Sequence, residues 1–166
     1  LEALGCVFQT QSDTEVVLQG YKIWGADCLS RLRGMFAFAI YDRRDESLFI
    51  ARDRIGIKPL YYASLNGQLI FASEIKSLLQ HPDLPREVNP AAVDEYLSLR
   101  YVPGPQTLFN HIKKFPPAHF MVWRKGRGDF KRYWTPDNRP AWNGSKSEAQ
   151  EAFDHAFDEA TRIHML

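Results

Sequence analysis

The sequence is poor in the features that mark several classes of protein. Its 166 residues include only two cysteines, Cys6 and Cys28, and neither lies in a CxxC motif or beside clustered histidines. A disulfide scaffold and a zinc site are therefore not expected, and both thiols are interpreted as small, partly buried apolar groups in a reducing cytosol. No apolar run approaches the ~20 residues that a membrane helix needs, so no membrane partner is expected.

An excess of charge of one sign is also lacking. The chain carries 21 basic and 20 acidic side chains, which gives a formal net charge of +1. Nucleic-acid-binding domains usually show a basic patch, so no nucleic-acid partner is expected. With 45% hydrophobic residues the composition is that of a globular domain rather than a disordered chain.

Common catalytic signatures are absent as well. No GxSxG, HExxH or phosphate-cradling glycine loop occurs. The histidines are scattered, at His81, His111, His119, His155 and His164. The residues by themselves therefore predict no metal site and identify no nucleophile.

Helix-start signals occur at three places. Residues 12–15 (Ser-Asp-Thr-Glu) and 145–148 (Ser-Lys-Ser-Glu) match the capping box, in which the serine and glutamate side chains each accept a backbone N–H of the other residue. Asn89-Pro90 is an N-cap followed by a first-turn proline. A helix is predicted to follow each signal. The helix that follows the box at residues 145–148 carries an apolar stripe over residues 149–163.

Strand signals favour an α+β fold with antiparallel sheets. Residues 6–10 are a short strand candidate, and the continuously apolar residues 35–41 predict a strand buried on both faces. The turn at Asn66-Gly67 is a strong hairpin signal because both residues tolerate positive φ. The predicted hairpins pair 35–41 with 47–52, 60–63 with 68–72, and 118–123 with 130–134.

Two charged positions are candidates for chemistry. The turn over residues 52–59, Arg-Asp-Arg-Ile-Gly-Ile-Lys-Pro, is interpreted as a structural network that joins two hairpins. Asp13 lies in the first turn of a predicted helix, where a carboxylate stabilises the helix dipole by ~0.3–1 kcal/mol. Binding of a cationic ligand group is the alternative role of Asp13, and the residues alone favour the dipole.

Several motifs, in order along the chain, resemble those of one family. They are QSDTEV at 11–16, LRGMFAFA at 32–39, ARDRIGIKPLYY at 51–62, FASEIK at 71–76, YVPGP at 101–105 and IKKFPPAH at 112–119. Through them nearly the whole chain resembles the glutaminase domain of glutamine-hydrolysing asparagine synthetases, which are class II glutamine amidotransferases. The resemblance implies an N-terminal-nucleophile hydrolase fold, a four-layer αββα sandwich with antiparallel sheets, present here in part.

The resemblance also implies an activity and a site residue. Such enzymes hydrolyse glutamine to glutamate and ammonia, and a following synthetase domain uses ATP and Mg²⁺ to convert aspartate to asparagine in the cytoplasm. Asp13 matches the family's aspartate that binds the α-amino group of glutamine, which reverses the preference for the dipole role. Glutamine and aspartate are the implied partners, a homodimer is left open, and no cofactor is expected within this chain.

The chain departs from the family at its first residue. The family's nucleophile is a cysteine at the mature N-terminus whose own α-amino group acts as base, whereas Leu1 stands first here and neither cysteine lies in the matching register. The interpretation is an inactive fragment whose nucleophile precedes Leu1. Its expected parts are the C-terminal portion of a glutaminase domain (1–134), a linker (135–144) and the first helix leading into the synthetase domain (145–166).

Two alternatives to this interpretation stay open. The first is a truncated homologue that acts as a non-catalytic binding module. The second is a related amidotransferase that delivers ammonia to an acceptor other than aspartate, because a glutaminase domain does not contact the acceptor.

We expect the isolated 166-residue chain to release no glutamate from glutamine above background, because it holds no thiol next to an α-amino base. A coupled glutamate assay, with an active glutaminase as positive control, checks this. Turnover that rises with chain concentration and disappears in the Cys6→Ser variant would contradict the expectation.

Overall fold

The computed structural model describes residues 1–136 and 142–165, and its chain divides into two compact units, Leu1–Thr135 and Pro136–Leu166. The helices are α1 (Asp13–Trp24), α2 (Cys28–Arg31), α3 (Ile75–Leu78), α4 (Pro90–Leu99) and α5 (Lys146–His164), with 3₁₀ turns at Glu2–Leu4 and Gly25–Asp27. The strands are β1 (Ala37–Asp42), β2 (Ser47–Arg52), β3 (Tyr61–Leu65), β4 (Gln68–Ala72), β5 (Lys113–Lys114), β6 (His119–Trp123) and β7 (Phe130–Arg132). Helix α5 belongs to the second unit and the other elements to the first.

The strands form two antiparallel sheets. One sheet has the order β1-β2-β6-β7 and the other the order β4-β3-β5. All three predicted hairpins are present, with β1 paired to β2, β3 to β4 and β6 to β7. The predicted α+β class with antiparallel sheets is confirmed.

The two sheets pack face to face. Ile50 and Met121 project from the four-stranded sheet and contact Leu60 and Phe115 at the three-stranded sheet, and all four side chains are buried. Complete burial of a side chain of this size contributes ~1.5–3 kcal/mol. The two sheets are held together mainly by the packing of this inner layer of apolar side chains.

Helices cover the outer faces of both sheets. Phe49 of β2 packs against Leu29 of α2 and the α1 side chain of Tyr21, whose ring centroid lies 4.7 Å from that of Phe49. On the other sheet, Ala63 of β3 packs with Leu78 of α3. The layers follow the order helix, sheet, sheet, helix, as expected for the αββα sandwich.

The strand that is buried on both faces is β2, and the prediction that residues 35–41 form such a strand was wrong. Phe49, Ile50 and Ala51 of β2 are at most 1% exposed, because β2 lies between β1 and β6 with a helix layer on one face and a sheet on the other. Strand β1 pairs with β2 alone within the described residues, and Tyr41 on it is 59% exposed. Among the described residues, this apolar run therefore forms a strand at the edge of its sheet.

The strand predicted at residues 6–10 was also wrong. The backbone N–H groups of Gln9 and Thr10 donate to the carboxylate of Glu15, at 2.9 and 2.7 Å, and not to a neighbouring strand. The Thr10 hydroxyl donates to the same carboxylate at 2.6 Å. These hydrogen bonds, that from the Thr10 hydroxyl foremost, lower the pKa of Glu15.

The two predicted capping boxes differ in outcome. Ser12 caps α1, but its hydroxyl accepts the N–H of Thr14 at 3.2 Å, and Glu15 is engaged with the preceding loop. At α5 the box is complete, because the Ser145 hydroxyl accepts the Glu148 N–H at 3.2 Å and the Glu148 carboxylate accepts the Ser145 N–H at 2.7 Å. The predicted Asn89 cap of α4 is present as well, accepting from Ala92.

Two hairpin tips meet at one end of the sandwich. The β3–β4 turn at Asn66-Gly67 and the β6–β7 turn at Gly126 have the positive φ values that glycine permits, 74° at Gly67 and 78° at Gly126. A Cβ atom placed on Gly126 would lie 3.2 Å from the Gly67 carbonyl oxygen. The tips contact each other through their backbones, and a side chain at position 126 would have to displace the Gly67 carbonyl by a few tenths of an ångström.

The turn over residues 52–59 is organised by the buried carboxylate of Asp53, which is 1% exposed. It accepts backbone N–H bonds from Ile57 and Lys58 at 2.9 Å and from Ile55 at 3.3 Å. The backbone carbonyl of Asp53 accepts the N–H of Ala118 at 2.9 Å. A buried carboxylate is stable when several donors satisfy its oxygens, and here the donors are the turn itself.

Arg52 joins the two sheets at the opposite end from the glycine contact. Its guanidinium donates to the backbone carbonyls of Lys58 at 2.7 Å, Gly56 at 2.8 Å and Phe115 at 2.5 Å. Arg52 ends β2 of one sheet, whereas Phe115 follows β5 of the other. The interpretation of residues 52–59 as a structural network is confirmed.

We expect Asp53→Asn to lower the free energy of unfolding by about 2–3 kcal/mol, because an amide has one acceptor oxygen and turns an NH₂ group toward backbone donors. Urea denaturation followed by circular dichroism measures the change. Asp83→Asn, at an exposed loop position, is the matched control and should stay within about 0.5 kcal/mol of the parent. Equal midpoints for the two variants would contradict the role of Asp53.

A pH effect is expected at the β1–β2 turn. The Arg44 side chain donates to the Asp42 carboxylate, and this hydrogen bond lowers the pKa of Asp42 from 3.8 to about 2. A carboxyl group with a lowered folded-state pKa stabilises the fold above its unfolded pKa, and that contribution is lost as the pH falls from about 4 to about 2. Asp42→Asn should flatten this part of the stability–pH curve, whereas Asp83→Asn should not.

Candidate functional site

A cavity of about 530 Å³ lies beside Asp13, in the first unit. Helix α1, strand β1 with the residues before it, the turn 52–59 and the end of β4 form its walls. The lining residues are Asp13, Thr14, Val17, Leu18, residues 35–41, Lys58, Pro59 and Ser73. This volume and this largely apolar wall with a few polar groups are typical of sites for small molecules.

Asp13 is the first residue of α1, and its carboxylate is exposed. The hydroxyl groups of Ser12 and Thr14 lie 3.5 Å from Oδ1 of Asp13. Within the described part of the chain no lysine or arginine forms an ion pair with it. The position therefore combines a helix N-terminus, which favours negative charge, with a carboxylate free to receive a cationic group from the cavity.

Lys58 and Ser73 line the same cavity, and no chemistry was predicted for either from the sequence. The backbone of Lys58 is held on both sides, because its N–H donates to Asp53 and its carbonyl accepts from Arg52. Its side chain is exposed. One acidic and one basic residue at the walls of a single cavity are complementary to a zwitterion, which is the form of a free amino acid at neutral pH.

The signal that could have identified Lys58 is its place in the sequence. Lys58 is itself one of the residues whose backbone N–H groups bind Asp53, so the buried carboxylate fixes the backbone from which the Lys58 side chain extends. A charged residue attached to a rigid turn has a defined position. That rigidity is visible only once Asp53 is known to be buried.

Neither cysteine lines the cavity. Cys6 is half-buried and Cys28 is 2% exposed, and both thiols are free, as predicted. Burial raises the pKa of the Cys28 thiol, which keeps it protonated and a poor nucleophile at neutral pH. Cys28 borders a separate hollow of about 230 Å³ together with Val16 and Trp24 of α1.

In the described part of the chain, no three side chains of His, Cys, Asp or Glu come together in a way that could hold a metal ion.

Within residues 1–136 and 142–165, no helix has both the length and the apolar character needed to cross a membrane.

Comparison with known proteins assigns residues 1–134 to the family described as "Glutamine amidotransferase domain". Asparagine synthetase [glutamine-hydrolyzing] 1 of Bacillus subtilis is 41% identical, over 99% of this chain and 26% of that protein. A putative asparagine synthetase [glutamine-hydrolyzing] of Methanocaldococcus jannaschii is 31% identical, over 83% of this chain and 28% of that protein. Amidase chyE of Penicillium rubens is 33% identical, over 95% of this chain and 24% of that protein.

A solved structure supports the fold. The glutamine phosphoribosylpyrophosphate amidotransferase of B. subtilis, in complex with ADP and GMP, matches with a TM-score of 0.54 and 22% identity, over 83% of this chain and 26% of that one. Together with the four layers, this likeness confirms the N-terminal-nucleophile hydrolase fold. The chain spans about a quarter of the length of the relatives it matches.

Proposed function

The chain belongs to the family of glutamine amidotransferase domains, and from this we propose that it is the glutaminase part of an asparagine synthetase. The match of that family to residues 1–134 is the observation that carries the proposal. The names of the bacterial and archaeal relatives support it. The whole protein would hydrolyse glutamine to glutamate and ammonia and use the ammonia to convert aspartate to asparagine in the cytoplasm.

In this proposal Asp13 binds the α-amino group of glutamine. Its exposed carboxylate borders the 530 Å³ cavity and forms no ion pair within the described residues, which leaves it available to an ammonium group. A charge-assisted hydrogen bond of this kind contributes ~1.5–3 kcal/mol and distinguishes an amino acid from a simple amide. Lys58 on the wall of the cavity balances the charge for a zwitterion.

Parts beyond this chain would supply the remaining chemistry. The relatives are about four times as long as the matched region, and a longer protein of the same kind would hold the nucleophilic cysteine and the binding sites for ATP, Mg²⁺ and aspartate. The described residues contain no thiol at the cavity and are assigned no catalytic role.

The domain organisation is part of the proposal. Residues 1–134 would form the glutaminase domain, 135–144 a linker, of which 137–141 lie outside the described residues, and 145–166 the first helix leading into the synthetase domain. The apolar stripe of α5 supports this, because Phe153 and Phe157 stack at 6.0 Å and are 63% and 61% exposed. An amphipathic helix with its stripe uncovered is expected to pack against a partner surface.

Asparagine formation by the full-length protein, with glutamine or ammonium chloride as nitrogen source, tests both the function and the role of Asp13. We expect Asp13→Asn to lower kcat/KM for glutamine by about ten- to hundredfold, which is the loss of one charge-assisted hydrogen bond. The ammonia-dependent rate should be unchanged, because ammonia bypasses the glutamine site. Asp83→Asn is the control and should leave both rates unchanged.

The outcomes separate the two proposals. Unchanged glutamine kinetics in Asp13→Asn would contradict the role of Asp13 and leave the function intact. If the parent protein releases glutamate but forms no asparagine from either nitrogen source, the acceptor is not aspartate and the function is contradicted.

A further inference from the structure

A second cavity, of about 690 Å³, opens in the first unit between the end of β2, strands β3 and β7, and residues 104–119. It shares no lining residue with the cavity beside Asp13. The two lie on either side of the turn 52–59, since Lys58 and Pro59 line the first and Arg52 and Gly56 the second. Its ligand chemistry is independent of the proposed function.

The charged groups on the walls of this second cavity are all basic. Arg52, Lys114 and Arg132 line it, and among the residues that the structure describes no aspartate or glutamate does. Arg132 is exposed, whereas Arg52 and Lys114 are half-buried. A cavity whose charged side chains are all cationic has a positive potential. Its apolar, low-dielectric walls screen this potential little, so it attracts anions.

The hydrogen-bond partners of the two half-buried cations are neutral. Arg52 donates to three backbone carbonyls, among them that of Phe115, and the Lys114 ammonium donates to the backbone carbonyl of Val102. Neither forms an ion pair within the described residues. The buried carboxylate of Asp53, next to Arg52 in the chain, is already bonded to three backbone N–H groups.

Both cations retain unused donors. Each terminal nitrogen of Arg52 uses one of its two N–H groups, and the ammonium of Lys114 uses one of three. Burial lowers the pKa of Arg52, and burial together with the charge of Arg52 lowers the pKa of Lys114. A bound anion would accept from these donors and offset the repulsion between the two cations.

Aromatic rings form another wall of the cavity. Phe130 meets Tyr62 edge to face at 5.4 Å and Phe115 at 4.9 Å. Its exposed fraction is 37%, so part of its ring is open to the cavity. Such a wall favours a planar apolar group, because aromatic contacts add ~0.5–1.5 kcal/mol beyond the burial of area.

We propose that this second cavity binds an organic phosphate monoester, with the phosphate at Arg52 and Lys114 and a planar apolar body against Phe130 and Tyr62. A phosphate monoester carries a charge of about −1.5 to −2 at neutral pH and three acceptor oxygens. It therefore matches two cations with several free N–H groups. A carboxylate, with one charge and two oxygens, satisfies the site only in part.

Titration of the ¹⁵N-labelled 166-residue chain with phenyl phosphate, inorganic phosphate and phenol, followed by NMR, tests the proposal. We expect saturable shifts at the amides of residues 52–56, 114, 115, 118 and 119, with phenyl phosphate binding about tenfold more tightly than either of the other two probes. Lys114→Gln should weaken phenyl phosphate binding by about tenfold or more. Lys131→Gln, which changes an exposed lysine outside the cavity, should not change it.

A second variant guards against an indirect effect, since Lys114 also holds the loop at Val102. Arg132→Gln changes an exposed cavity side chain, and urea denaturation of both variants confirms that the fold is retained. A weaker affinity for phenyl phosphate in Arg132→Gln supports the site. Equal affinity for phenyl phosphate and inorganic phosphate, equal weakening in Lys131→Gln, or no saturable shift up to about 10 mM would overturn the proposal.

Discussion

The carboxylate of Asp53, buried and bonded to three backbone N–H groups, is the constraint on which the rest of the structure depends. It fixes the turn 52–59, and this turn provides two of the carbonyls that hold the Arg52 guanidinium, those of Gly56 and Lys58. The third carbonyl, that of Phe115, lies at the other sheet and completes the link. The cavity beside Asp13 and the cavity beside Arg52 both take wall residues from this turn. The buried carboxylate of Asp53 thereby helps to fix the link between the two sheets and the side chains that the turn contributes to the two cavities.

Local patterns predicted those elements whose signal is local. The Asn66-Gly67 turn, the Asn89 cap and the capping box at Ser145 depend on residues a few positions apart, and all three are present. The strand at residues 6–10 and the burial of residues 35–41 on both faces were predicted wrongly, because pairing and burial depend on neighbours distant in sequence. The αββα layering was expected from the resemblance of the ordered motifs to a known family. The sequence of β2 alone could not have shown that one face of this strand packs on helices and the other on the second sheet.

The residues of the two cavities also divide into those that the sequence could identify and those that only the fold brings together. The resemblance singled out Asp13, whereas Lys58 enters the same cavity only because the chain turns back at Asp53. The cations of the second cavity come from segments more than sixty residues apart, as the bond from Arg52 to Phe115 shows. No spacing rule brings such residues together, so electrostatic features of this kind become visible only in three dimensions.

The contact between the hairpin tips bears on how this domain can be altered. Surface turns with glycine usually accept inserted peptides, tags or new chain termini. Here the backbone of Gly126 rests against that of Gly67, with no room for even a methyl group without displacement of the carbonyl. An epitope or a reporter grafted into the Gly126 turn would press on the Gly67 backbone, so an insertion there would disturb the contact between the two hairpins.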